Sequence, residues 1–129
     1  MTVKRSVSYR DAKANVDVNQ IGPNAQIQIR TGVNSATGGQ GTLLAQLTGD
    51  SNAWGTVSNG AVTVNPITDD PSAAATGIAG HYQINTQAGV FVESGLLDGS
   101  DGITISNTNI TQGQIVTVSG TWIRTEFGA

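Results

Sequence analysis

One histidine, His81, and no cysteine limit the chemistry open to this 129-residue chain. Without thiols there is no disulfide, no thiolate nucleophile and no Cys-ligated zinc or iron–sulfur centre. A single imidazole excludes a multi-histidine metal centre within one chain. As a general base His81 would need a nucleophile or an orienting carboxylate, and its neighbours, Ala79-Gly80-His81-Tyr82-Gln83, supply neither. The expectation is an exposed or hydrogen-bonded strand histidine.

The carboxylates are more numerous but no better organised. Asp69-Asp70 and the run Asp98-Gly99-Ser100-Asp101-Gly102 have the oxygen-rich look of calcium loops, yet neither fits the twelve-residue pattern that closes with a Glu. Asp and Gly are also what turns require for backbone reasons alone. Glycoside hydrolysis would need two carboxyls at a fixed separation in a cleft, and seven acids scattered over residues 32–129 carry no such signature. Gly38-Gly39-Gln40-Gly41 lacks the GK[ST] ending and the following helix of a phosphate loop. Trp54 and Trp122 have flat faces that suit a sugar ring, but two Trp in a small β domain more often fill its core. No catalytic residue, metal or cofactor is expected, and the chain does not read as an enzyme.

The elements that would position these residues follow from composition and periodicity. Charged residues make up 12% of the chain, half the usual ~25%, and Thr, Ser, Asn, Gln and 17 Gly take their place. This suits neither a helical bundle nor a disordered chain; it suits strands with uncharged polar outer faces. A chain of this size buries one core. Its longest apolar run is far below the ~18 residues of a membrane span, and no apolar stretch follows the basic start, so neither a span nor a secretory leader is expected.

Residues 25–31, AQIQIRT, alternate cleanly, with Ala25, Ile27 and Ile29 inward and Gln26, Gln28 and Arg30 outward. Residues 32–41 form a Gly/Ser/Asn-rich loop. Leu43, Ala45 and Leu47 share a face of the next strand, and Ser58-Asn59-Gly60 signals a hairpin into Val62 and Val64. Two prolines and two aspartates interrupt at 66–75. Alternation resumes with Ile78, Tyr82 and Ile84 on one side and Ala79, His81 and Gln83 on the other, then 90–93, 103–105 and a long last strand, 115–124. Trp54, Phe91 and Trp122 are the expected large core fillers. Seven or eight short strands without helical crossovers predict an all-β fold, an antiparallel β-sandwich of Ig-like or jelly-roll type, over residues 22–129.

Residues 1–21 have mixed character. Ser8 with Asp11 has capping-box spacing and Tyr9, Ala12 and Val16 fall on one helical face, whereas Val3, Val7, Val16 and Val18 favour extended chain. A short helix or an irregular arm are both compatible; the reading favours an arm with at most one or two turns. Charge is divided along the chain: residues 1–31 carry a net +3, residues 32–129 a net −6. Such asymmetry points to a basic arm, with Lys4, Arg5, Arg10 and Lys13 as partner-binding residues for an acidic protein surface. Four basic residues without an aromatic platform make a poor phosphate track, so nucleic acid is not the expected target.

The order IQIRTG, a Gly/Ser loop, TLLAQLT, a Trp, NGAVTVNPITDDPSAAATGIA and ITISNTNITQGQIVTVSGTWI resembles small β-rich proteins encoded among the structural genes of tailed bacteriophages. The similarity covers residues 25–125, and the stretch Gly60 to Gly77 is its most telling part. The resemblance implies a virion structural role, foremost a decoration or cement protein on the capsid surface, otherwise a tail, neck or baseplate component. Its implied partners are the major capsid protein or another virion protein and further copies of itself, with no membrane. A second reading is a carbohydrate-binding module on the virion, with Trp54 or Tyr82 as stacking platform.

Overall fold

The clean alternation at residues 25–31 produces the strand it predicts. In the computed structural model, which describes residues 6–97, 103–105, 107–118 and 123–125, β1 (Gln26–Arg30) lies inside a four-stranded sheet. Its neighbours are β2 (Leu43–Thr48) and β6 (His81–Asn85), and β7 (Phe91–Leu96) forms the far edge. A second sheet contains β3 (Gly55–Ser58), β4 (Ala61–Val64) and β9 (Ile123–Thr125), and a two-stranded ribbon pairs β5 (Gly77–Ile78) with β8 (Asn109–Ile110). Every described strand pairing is antiparallel. Among the described residues the protein is mostly β with one helix.

That helix corrects the expected arm. Residues Val7–Ile21 form a 15-residue helix, α1, about four turns long. Its cap is Ser6, whose Oγ accepts a hydrogen bond from Tyr9 N at 3.1 Å, and the expected capping pair Ser8 and Asp11 lies within the helix. Gly22, at φ 76°, ends it by donating its N–H to Val18 O at 2.9 Å, and Pro23 cannot extend it. Ala14, Val18 and Ile21, spaced i, i+4 and i+7, are buried beside the β3–β4 hairpin that the helix packs against. This tertiary contact outweighs the preference of Val7, Val16 and Val18 for extended chain, since most helical stability in proteins comes from burying one face.

The inner face of the main sheet carries Ile27, Ile29, Ala45, Leu47, Tyr82 and Ile84, which join the helix residues and Trp54 in one core. Trp54 and Tyr82 are fully buried. Phe91 is only half-buried, and the third expected core filler, Trp122, lies outside the described residues. The register slips between Ile29, opposite Ala45, and Arg30, opposite Leu43, so Leu44 is an extra residue in β2. This bulge rotates Leu44 into the core, in place of the expected inward Leu43. Ile78 is likewise corrected: it sits in the short β5 and is exposed, apart from Tyr82 and Ile84.

The outer face of the sheet is polar, and half of it is covered. Gln28 Nε2 donates to Gln46 Oε1 at 3.0 Å, Arg30 Nε to Gln28 Oε1 at 2.9 Å, and Gln83 Nε2 to Asn85 Oδ1 at 2.8 Å. Over β6 and β7 lies the glycine-rich segment 32–41, a strap held by Gly39 N on Gln83 Oε1 at 2.7 Å and by Ser94 Oγ on Ser35 O at 2.7 Å. His81 and Gln83, which bond to Gly32 and Gly39 of this strap, are buried, and Asn85, bonded to Gln83 and Gln26, is buried beside them.

Candidate attachment surface

The hairpin turn predicted at Ser58-Asn59-Gly60 has φ 52° at Asn59 and 77° at Gly60, the doubly left-handed backbone of a type I′ turn. The start of α1 grips it. Asp11 Oδ1 accepts from Gly60 N at 2.6 Å, and an Arg10 terminal nitrogen donates to Asn59 O at 3.3 Å. Arg10 Nε is buried with no hydrogen-bond partner among the described residues. Arg10 therefore serves its own domain. The residue expected to reach for a partner thus contacts the hairpin of its own chain, because the expected arm is a docked helix over Val7–Ile21.

The other basic residues separate differently. Lys4 and Arg5 lie outside the described residues. Lys13 Nζ stands 6.0 Å from the centroid of the Tyr9 ring, within reach of a cation–π attraction. Tyr9, Ala12 and Val16 do share a face, as their spacing predicts, but it is the face turned to solvent: Tyr9 is 51% and Val16 60% exposed. The outer side of α1 thus presents an aromatic ring, a bare valine and a lysine. Sequence reading singled out this face without its direction, because α1 has small or apolar residues on both sides and only the hairpin decides which is covered.

The residues first considered for chemistry have structural partners. His81 Nδ1 lies 3.1 Å from Gly32 O; a carbonyl only accepts, so the ring nitrogen is the donor. Asp70 Oδ1 accepts from Ser72 N at 2.9 Å and its Oδ2 from Gln46 N at 2.8 Å, which fastens segment 66–75 along the outer edge of β2. Asp50 Oδ1 accepts from Asn52 N at 2.8 Å in a loop of its own. The Gly39 N–H is taken up by Gln83 Oε1 at 2.7 Å. Among the described residues no three His, Cys, Asp or Glu converge on one point, and Asp98 and Asp101 lie outside them. No described helix is long and apolar enough to cross a membrane.

The sugar-platform reading loses its platforms: Trp54 and Tyr82 have no exposed surface, since both rings are core material, and neither can stack on a ligand. Gly95 makes room for one of them, as a Cβ there would sit 2.5 Å from the Tyr82 hydroxyl. Comparison of the chain with protein-family models, with curated proteins and with solved structures returned no match.

Proposed function

We propose that this protein is a non-enzymatic structural component of a bacteriophage virion, a β-sandwich decoration or cement protein that fastens to the capsid surface. The observation that carries the reading is the outer face of α1, where Tyr9 and Val16 are exposed and Lys13 stands over the Tyr9 ring. Lys4 and Arg5 precede that face in a chain whose remainder is acidic. An aromatic anchor with a basic rim suits a partner surface that offers an apolar patch edged by carboxylates, the role proposed here for the major capsid protein. Binding of this kind stabilises only the assembled shell, by RT ln(1 + [L]/Kd) per site.

The test uses capsids that lack the protein. Purified wild-type protein is added back, and occupancy is read by co-sedimentation, with labelling and imaging to locate it on head or tail. A Tyr9→Ser, Val16→Asp, Lys13→Glu triple variant is expected to keep the wild-type melting temperature and lose more than tenfold in affinity. Raising salt is expected to weaken the wild type as well. Equal occupancy by the triple variant, or labelling confined to tails, would overturn the assignment.

A further inference from the structure

Asn59-Gly60, the turn of the β3–β4 hairpin, is the only Asn-Gly pair in the 129-residue sequence. Such a pair carries a reaction of its own. The backbone nitrogen of the glycine attacks the side-chain carbonyl carbon of the asparagine. A C–N bond forms as that nitrogen gives up its proton, and the side-chain amide takes up a proton and departs as ammonia. Water then opens the five-membered imide on either side, leaving aspartate or isoaspartate. No oxidant, metal or second protein enters the balance. Glycine favours the attack because no Cβ crowds its nitrogen.

The fold holds this pair apart in two ways. Both polar atoms of the Asn59–Gly60 peptide bond are gripped by neighbouring residues of α1: Gly60 N donates to Asp11 Oδ1 at 2.6 Å, and Asn59 O accepts from Arg10 at 3.3 Å. Attack needs the nitrogen to become anionic. A carboxylate that accepts its hydrogen favours the neutral form, and its charge opposes the anion; it is also far too weak a base to remove an amide proton. The backbone adds a second barrier. With φ 52° at Asn59 and 77° at Gly60, the type I′ turn has ψ of about +30° at its first central residue. There the Gly60 nitrogen lies nearly opposite Asn59 Cβ, whereas ring closure needs the two nearly eclipsed. Turning that peptide breaks both bonds to α1. Arg10 also packs over it, since a Cβ on Gly60 would meet Arg10 Cβ at 2.6 Å. Gly60 is buried and Asn59 exposed, so the amide is in water while its attacker is not.

We propose that Asn59 is a deamidation site that the docked α1 keeps silent, so that undocking of the helix opens it to a permanent change. Isoaspartate adds a carbon to the main chain of a two-residue turn, and the modified peptide no longer matches the spacing of Arg10 and Asp11. The turn thereby converts a reversible event, the lifting of α1, into an irreversible one. The inference goes beyond the attachment reading. It uses none of Tyr9, Lys13 and Val16, and it concerns the free protein, so the capsid-binding test and this one fail separately.

Ageing the full chain in mildly alkaline buffer, then chymotryptic digestion and mass spectrometry, tests it. Cleavage after Trp54 and Tyr82 releases residues 55–82, whose other asparagine, Asn65, precedes Pro66. Proline has no N–H and cannot close the ring, so amide-to-acid conversion in this peptide reports Asn59, and isoaspartate identifies the imide route. Wild type is expected to convert more than about tenfold slower than a synthetic peptide of residues 55–64, the protection that a hydrogen bond to a charged acceptor supplies. Asp11→Ala is expected to convert about tenfold faster than wild type, with Asp11→Asn between them. Gln83→Ala loosens the strap on the outer face of the main sheet and leaves Arg10 and Asp11 in place. It is expected to keep the wild-type rate, which separates undocking of α1 from a general loss of stability. A wild type as fast as the peptide, an Asp11→Ala rate no higher than wild type, or equal acceleration by Gln83→Ala would each overturn the proposal.

Discussion

Replacing Asp11 by Ala tests whether α1 is part of the fold or an appendage. The carboxylate accepts a 2.6 Å hydrogen bond from the N–H of Gly60, and Gly60 is buried. A hydrogen bond to a charged group contributes about 1.5–3 kcal/mol net, and a buried donor left unpaired costs about as much as the bond it loses. We expect Asp11→Ala to destabilise by about 2 kcal/mol. With an unfolding entropy of about 2.1 cal/mol/K per residue, a chain of this length loses about 7 °C in melting temperature. Asp11→Asn keeps a neutral acceptor and should fall about halfway. Truncation gives the larger contrast. Removing residues 1–14 leaves seven helical residues, too few to hold a helix, and releases Val18 and Ile21 from the core. Each buried side chain of that size contributes about 1.5–3 kcal/mol, against a total stability of about 5–15 kcal/mol. Thermal and urea melts followed by circular dichroism measure all four proteins. An Asp11→Ala melt within about 2 °C of wild type, or a cooperative wild-type-like melt of the 1–14 truncation, would refute the claim that the hairpin turn and α1 hold each other.

Two further outcomes follow from the covered sheet face and the core. Gln83→Ala removes the acceptor of Gly39 N and a partner of Asn85, so the strap over residues 32–41 should be cut by protease several times faster, with a loss of about 2 kcal/mol; an unchanged digestion rate would show that the strap is held elsewhere. In a Trp122→Phe background, Trp54, with no exposed surface, should emit at short wavelength, resist acrylamide quenching and ignore added glycans, and a glycan-dependent spectral shift would restore the sugar-binding reading.

The absence of thiols and the single imidazole were legible in residue types alone. So were elements whose signal is local. Residues 26–30 alternate with period two and form β1, and Asn59-Gly60 has the left-handed preference that a two-residue hairpin needs. Tertiary structure decided the rest, because each remaining question was about which surface is covered. Tyr9, Ala12 and Val16 compete with Ala14, Val18 and Ile21 as the buried face of α1, and the hairpin settles it in favour of the second set. Arg10 has the charge of an arm residue but the position of a turn clamp. His81 and Gln83 have outward-facing periodicity and are buried where a distant glycine-rich strap bonds to them. Leu44 takes the place of Leu43 because a one-residue bulge turns the strand. A periodic pattern states which residues share a side; only the neighbour brought in by the fold states whether that side meets protein or water.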